Sequence, residues 1–231
     1  MINRTRKIQG LVCFGDSIFA GTGASDRQIG SAKLIKNILT IPVSLQGRNR
    51  DTSEMAIRRL EKDILSLGKE YTQVIVLLGN NDCWLDTNGE PRITLETFEA
   101  NMVRIINLIQ ANGREAIICN LQPIHDKNFL ITFPEYQDFF KKSKFKPTEL
   151  QEVYSNKIEN ICKKFNLVMI DIREEFLDSA GTLMADDGIH PNDLGHKKIA
   201  KKIISTLGKL DISLLGSGLK IESSDWIGRH A

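Results

Sequence analysis

The sequence has no long apolar run and no strong excess of either charge. No stretch approaches the roughly 18 consecutive apolar residues of a membrane-spanning helix. Arg4, Arg6 and Lys7 imitate the basic start of a signal peptide, but Gly15 and Asp16 interrupt the apolar region that such a peptide needs. The 31 Lys and Arg residues nearly balance the 29 Asp and Glu residues, which argues against a dedicated nucleic-acid surface. We therefore expect a cytoplasmic protein without an integral membrane segment or a nucleic-acid partner.

Cysteine and metal-ligand patterns are also sparse. The four cysteines are far apart and include no Cys-x-x-Cys pair, which favours free thiols in a reducing compartment over disulfides or a zinc site. No cluster of histidine with cysteine, or of paired acids, has the spacing of metal ligands. We therefore predict no metal and no cofactor.

Three common glycine motifs are absent. Residues 15–23 contain a glycine-bearing turn, but they lack the Gly-Lys-Ser/Thr of a phosphate loop and the Gly-x-Gly-x-x-Gly of a dinucleotide site. Asp16 in that turn would also repel a phosphate. The chain has no Gly-x-Ser-x-Gly sequence, so the α/β-hydrolase fold is not indicated. Nucleotide binding and that fold are both disfavoured.

Short apolar runs alternate with amphipathic segments along most of the chain. The apolar runs predict five β-strands, at residues 10–14, 41–45, 72–78, 115–121 and 167–170. The amphipathic segments predict helices at residues 29–39, 55–67, 95–110, 148–165 and 192–207. This alternation predicts a single α/β domain over residues 1–207, a three-layer α/β/α, doubly wound, flavodoxin-like fold with a five-stranded parallel sheet. Residues 208–231 remain as a C-terminal tail of unknown role.

The segment from Ile124 to Pro147 departs from this alternation and is rich in aromatic residues. It contains Phe129, Phe133, Tyr136, Phe139, Phe140 and Phe145. Because it follows the fourth predicted strand, it should lie at the carboxyl edge of the sheet. Two interpretations stay open: a lid or substrate wall, or a small helical excursion that buries its own aromatic side chains.

Ser17 lies where the first apolar run ends, and the carboxyl ends of parallel strands are where such sheets place ligands. A serine hydroxyl becomes a nucleophile only beside a base, and histidine suits that role near neutral pH. Asp187 and His190 share one short turn, so the acid can orient the imidazole. Pro191 restricts His190 to extended backbone, which helps to aim its ring. We predict Ser17 as nucleophile, His190 as base and Asp187 as its partner.

Donors to a developing oxyanion are predicted at two strand ends. The sequence Gly79-Asn80-Asn81-Asp82 ends the third apolar run, so an asparagine side chain should emerge beside Ser17, whose own backbone N–H is a second donor.

Four other residues are given non-catalytic roles. We assign Asp82 as a structural acceptor, His196 as a surface or packing residue, and His125 as a loop histidine, and we set Asp186 aside because the three-residue spacing selects Asp187.

These motifs together resemble those of the SGNH (GDSL-type) hydrolase superfamily, over nearly the whole chain to about Leu207. Phe14-Gly15-Asp16-Ser17 resembles the first block of the family, Gly79-Asn80-Asn81-Asp82 the third, and Asp187-Gly188-Ile189-His190-Pro191 the last. The resemblance implies Ser17 as nucleophile and oxyanion donor, Asn81 as the side-chain donor, His190 as base and Asp187 as its partner.

The second block departs from the family pattern. The family usually has a glycine just before a segment like Asp51-Thr52-Ser53, and the N–H of that glycine is an oxyanion donor. Here Arg50 occupies the position, and Gly47 stands three residues earlier. Either the Arg50 N–H is the donor, which requires suitable backbone angles, or a shifted loop brings Gly47 into place.

The resemblance implies a carboxylic-ester hydrolase that works through an acyl-enzyme on a small-molecule ester. The family's activities leave short-chain, acetyl and lysolipid-type esters open. An acyltransferase with the same triad and a non-catalytic ligand-binding protein are the alternatives. The sequence does not determine the oligomeric state.

Overall fold

Five parallel strands form the centre of the computed structural model, which describes residues 7–177, 179–211 and 213–214. The strands are β1 (Leu11–Gly15), β2 (Val43–Gly47), β3 (Gln73–Leu77), β4 (Glu115–Cys119) and β5 (Val168–Ile170). Their order in the sheet is β2-β1-β3-β4-β5. Every residue of β1 and β3 is buried, because helices cover both faces of the sheet and favour continuous apolar runs. The predicted single α/β domain with a doubly wound sheet is confirmed.

Eight α-helices surround the sheet in the part of the chain that the structure describes. They are α1 (Ser31–Ile38), α2 (Ser53–Leu60), α3 (Leu95–Ala111), α4 (Asp126–Thr132), α5 (Glu135–Lys142), α6 (Pro147–Phe165), α7 (Ala180–Leu183) and α8 (Asp193–Leu210). Helix α1 packs against α8, while α3 packs against both α2 and α6. Short 3₁₀ turns at Arg27–Ile29 and Glu174–Phe176 complete the connections.

Helix boundaries differ from the predicted ones where side-chain caps or distant contacts decide them. Helix α2 begins at Ser53 because the Thr52 side chain accepts a hydrogen bond from the Met55 N–H, and after Leu60 it continues as a π-helical turn at Glu61–Leu65. Helix α8 runs to Leu210, three residues past the predicted end of the domain. Most of the tail predicted at residues 208–231 lies outside the described residues.

Residues 124–147 fold largely into α4 and α5, and their aromatic rings pack on one another. Phe129 and Tyr136 are buried, and both rings also contact Trp84, at centroid distances of 5.6 and 5.1 Å. Ile189, from the turn that carries His190, belongs to the same cluster. These contacts match the interpretation of a helical excursion that buries its own rings, and they also place the excursion against the His190 turn.

Among the described residues, no helix combines the length and the apolar character needed to cross a membrane. The four cysteines are all buried as free thiols.

Candidate active site

Ser17 lies two residues beyond the end of β1 and is almost completely buried. At the end of β1, Gly15 lies so close to β3 that a Cβ atom there would come within 2.4 Å of the Leu77 carbonyl oxygen. After Ser17 the backbone coils at once, with the Thr22 N–H donating to the Ser17 carbonyl at 3.0 Å. The serine is therefore held by backbone on both sides.

His190 connects Ser17 to Asp187 through its two ring nitrogens. Its Nε2 lies 2.9 Å from the Ser17 Oγ, and its Nδ1 lies 2.6 Å from the Asp187 Oδ2. The other carboxylate oxygen of Asp187 accepts hydrogen bonds from the backbone N–H groups of Ile189 and His190, each at 2.9 Å. The structure thus brings Ser17, Asp187 and His190 together in one hydrogen-bonded chain.

The turn between Asp187 and His190 depends on a glycine and on the neighbouring helix α4. Gly188 has a φ of 72°, and a Cβ atom there would come within 2.6 Å of the Phe129 backbone nitrogen. The His125 N–H donates to the Gly188 carbonyl at 2.8 Å. The turn is therefore fixed from outside by the start of α4 as well as by the carboxylate of Asp187.

Asp187 keeps its negative charge although it is partly buried. Burial alone would raise the pKa of this carboxyl, but hydrogen bonds from the His190 ring and from the His190 and Ile189 N–H groups lower it below its ordinary value. An ionised Asp187 fixes the orientation of the imidazole ring and stabilises a positive charge on it.

Asn81 meets the segment that follows Arg50. Its Nδ2 donates to the Asp51 carbonyl at 2.9 Å, and its side chain is buried. The neighbouring Asn80 faces the other way and donates to the Asp16 carboxylate at 3.0 Å. Of the two asparagines at this strand end, only Asn81 therefore reaches the Arg50–Asp51 segment.

Arg50 and Gly47 occupy different kinds of backbone. Arg50 has a φ of 66°, in the left-handed region that favours glycine, so the arginine adopts a conformation suited to the usual residue of the family. Gly47 ends β2, where a Cβ atom would come within 2.3 Å of the Ala20 nitrogen. The Arg48 N–H donates to the Gly15 carbonyl, so the preceding N–H, that of Gly47, points away from β1 toward the open edge of the sheet.

A buried arginine that the sequence did not single out lies beneath these turns. The Arg59 guanidinium contacts four oxygen atoms from four residues. Its partners are the Asp51 Oδ2 at 2.5 Å, the Asp63 Oδ2 at 3.0 Å, the Gly15 carbonyl at 2.9 Å and the Gln46 carbonyl at 3.0 Å. The i,i+4 pair of Arg59 with Asp63 is visible in the sequence, but such a pair is typical of an exposed helix face.

Two buried carboxylates next to the site lack a cation contact among the described residues. Burial raises the pKa of Asp16 to about 6 and that of Asp82 to about 6. Asp82 accepts hydrogen bonds from the N–H and the hydroxyl of Ser53 at the start of α2, at 3.0 and 2.5 Å. Asp82 therefore acts as a structural acceptor.

His125, His196 and Asp186 stand outside the Ser17–His190–Asp187 chain. His196 is fully buried, where its Nδ1 accepts from the Ser31 N–H and its Nε2 donates to the Thr22 carbonyl, and burial lowers its pKa to about 4. It is a packing residue. His125 precedes α4, and its buried Nδ1 has no hydrogen-bond partner within the described residues. Asp186 contributes its carbonyl to Thr132 at 3.3 Å.

The chain is similar to several known proteins. The sequence pattern of the GDSL-like Lipase/Acylhydrolase family matches residues 13–198. An uncharacterized lipoprotein, YqeF, of Bacillus subtilis (strain 168) is 24% identical over 193 residues, which cover 80% of this chain and 79% of the relative.

Solved structures show the same fold. The lipase/acylhydrolase from Enterococcus faecalis superposes with a TM-score of 0.69 at 23% identity, over 87% of this chain and 96% of that one. The acetyl xylan esterase AlAXEase superposes with a TM-score of 0.67 at 24% identity, over 86% of this chain and 99% of that one.

Proposed function

Because the chain belongs to the GDSL-like lipase/acylhydrolase family and is therefore a serine esterase, we propose that it cleaves carboxylic esters through an acyl-enzyme on Ser17. The observation that carries this proposal is the hydrogen-bonded chain from Ser17 through His190 to Asp187, at 2.9 and 2.6 Å. Nucleophile, base and orienting acid within hydrogen-bond reach are the requirements for activating a serine.

In the acylation step, the Ser17 Oγ attacks the ester carbonyl while the His190 Nε2 accepts the hydroxyl proton. The ionised Asp187 accepts a hydrogen bond from Nδ1–H, which keeps Nε2 free as the acceptor. The protonated His190 then gives its proton to the leaving alcohol. For deacylation, His190 takes a proton from water, the hydroxide attacks the acyl carbonyl, and the acid leaves as Ser17 recovers its proton.

Three donors stabilise the oxyanion in this proposal: the N–H of Ser17, the Nδ2 of Asn81 and the N–H of Arg50. Arg50 is preferred to Gly47 because of its left-handed backbone and because the Gly47 N–H points toward the open edge of β2. Asn81 donates to the Asp51 carbonyl, so it adjoins the Arg50 peptide. Donors fixed before the reaction avoid reorganisation when charge develops.

The proposed acyl group is short. The rings nearest the His190 turn pack against each other and against Trp84, so the aromatic excursion presents a filled wall. An acetyl group, as in the named substrate class of AlAXEase, fits this wall better than a lysolipid chain. In a series of esters with acyl chains of increasing length, kcat/KM should be highest for the shortest chain, whereas a maximum at long chains would contradict the short-acyl assignment.

The cytoplasmic location expected from the sequence stays a prediction.

Replacement of the nucleophile tests the mechanism directly. Ser17→Ala should lower kcat on a short-chain aryl ester by about 10³-fold or more, because the covalent step is lost. A fluorophosphonate probe should label the wild type and fail to label Ser17→Ala. Equal turnover by Ser17→Ala and wild type would exclude the acyl-enzyme. Transfer products formed in the presence of added alcohols would instead favour the acyltransferase alternative.

A further inference from the structure

A cleft of about 680 Å³ adjoins the active site and has no role in the mechanism above. One wall is the coil that follows Ser17, residues 19–24, and the opposite wall is the end of β2 with Arg48 and Asn49. The start of α1 closes the far side. The cleft therefore lies between the segment that carries the nucleophile and the loop that leads to Arg50.

Backbone forms much of the floor of this cleft, because four glycines line it. A Cβ atom at Gly30 would come within 2.7 Å of the Gly21 Cα, and one at Gly47 would come within 2.3 Å of the Phe19 carbonyl carbon. Side chains at these positions would force the two walls apart. The glycines thus keep the walls close and leave peptide groups and polar side chains at the surface of the cleft.

All the ionisable side chains that line the cleft are cationic: Arg27, Lys33 and Arg48. Arg48 forms an ion pair with the buried Asp63 at 2.8 Å, but half of its side chain remains exposed. Arg27 and Lys33 form no ion pair with any described residue. Together these groups give the cleft a positive potential.

The N-terminus of α1 adds to this potential. Its N-cap residue, Gly30, lines the cleft and has no side chain to cap the helix, and the first turn contains Lys33 but no acidic residue. No acidic residue of the first turn offsets the positive end of the helix dipole; the Asp26 carboxylate caps the preceding 3₁₀ turn through the Gln28 N–H. The cationic side chains and the helix dipole thus favour an anion at the same place.

We propose that this cationic cleft binds an anionic oxygen group, a phosphate, sulfate or carboxylate, on the alcohol part of the ester. The proposal rests on the esterase function above. Gly23 lines the cleft and contacts the His190 segment so closely that a Cβ atom there would come within 2.6 Å of the His190 Cβ. Since His190 protonates the leaving alcohol, the proposal assigns the cleft to the alcohol side of the substrate. The acyl side faces the aromatic excursion, which packs on Ile189.

Paired substrates test the location of the charge. On the alcohol side, 4-acetoxybenzoate is compared with its neutral methyl ester; on the acyl side, monophenyl succinate is compared with phenyl butyrate. After correction for alkaline hydrolysis rates, the wild type should prefer the anionic member of the first pair by about tenfold in kcat/KM, with no such preference in the second. No preference in either pair, or a preference only in the second, would overturn the proposal.

Variants connect that preference to the cleft. Arg27→Ala/Lys33→Ala should reduce the anionic-to-neutral ratio of kcat/KM about tenfold, and a ratio cancels any general loss of activity or folding. Lys36→Ala removes an exposed charge from the same helix outside the cleft and should leave the ratio at its wild-type value. An unchanged ratio in the double variant would contradict the assignment.

A binding measurement separates this proposal from the esterase function. Calorimetric titration with phenyl phosphate should show binding to the wild type and to Lys36→Ala that weakens as NaCl is added, and at least about tenfold weaker binding to Arg27→Ala/Lys33→Ala. Equal affinity in all three proteins would refute the cleft as an anion site. Inactivity on every ester would instead refute the esterase function, with the binding result unaffected.

Discussion

On the β2 side of Ser17, the turns of the active site are held by bonds between charged and polar groups, whereas on the α4 side packed aromatic rings add to the hydrogen bonds of the turn. Arg59 connects Gly15, Gln46 and Asp51 on the first side. Phe129 and Trp84 pack near the His190 turn on the second. The first side fixes backbone donors through directional bonds, whereas the packed rings of the second side support a turn that Asp187 and His125 also hold by hydrogen bonds. Substitutions on the two sides should therefore differ in how much they lower the free energy of unfolding and in how much they lower kcat.

The largest effect is expected at Arg59. Arg59→Met removes the guanidinium and leaves the buried Asp51 and Asp63 with fewer partners, so the free energy of unfolding should fall by about 3–5 kcal/mol. Any enzyme that still folds should lose about tenfold or more in kcat with little change in KM, because the oxyanion donors lose their support. Urea unfolding and steady-state kinetics measure the two quantities.

A matched control lies one residue earlier in the same helix. Arg58 pairs with Glu54 at the surface, with both side chains more than half exposed, so Arg58→Met should change stability by about 0–1 kcal/mol. Arg59→Lys keeps the charge but cannot span four acceptors. Its stability and its kcat should lie between those of the wild type and of Arg59→Met. If Arg59→Met costs no more than Arg58→Met, the β2 side does not depend on its buried charge.

A smaller effect is expected from a conservative change on the aromatic side. Phe129→Leu keeps an apolar side chain in the cluster, so the free energy of unfolding should fall by about 1–2 kcal/mol. Because neighbouring rings can shift into the lost volume, kcat should stay within about twofold of the wild type. A loss of kcat as large as that of Arg59→Lys would erase the distinction between the two sides.

The buried carboxyl group of Asp82 should make the stability of the protein depend on pH. Asp82 has a folded pKa of about 6, above its unfolded value, so the folded protein binds a proton more strongly between about pH 4 and 6. Relative to that of Asp82→Asn, the free energy of unfolding of the wild type should therefore fall by up to about 3 kcal/mol as pH rises through this window. Urea titrations at several pH values measure the difference. A wild-type free energy of unfolding that rises with pH relative to that of Asp82→Asn would contradict the raised pKa.

The sequence was sufficient for the parts of the site that local pattern controls. Ser17, Asn81 and His190 all follow from where apolar runs end and from short spacings, since parallel strands bring their carboxyl ends to one edge. Arg59 could not be predicted, because its role depends on carbonyl groups 13 and 44 residues away. The left-handed backbone of Arg50 could not be predicted from its residue type, because that conformation favours glycine and not arginine.

The smallest effect is expected at Arg50, where only the backbone is proposed to act. Arg50→Gly keeps the N–H and accepts a φ of 66°, so kcat should stay within about twofold of the wild type. Relief of the left-handed strain and the greater freedom of glycine in the unfolded chain oppose each other, so stability should change by less than about 1 kcal/mol. Arg50→Pro removes the N–H and fixes a negative φ, and it should lower kcat about 10²-fold or more. If Arg50→Gly were as impaired as Arg50→Pro, the arginine side chain, and not its peptide, would be the group that matters.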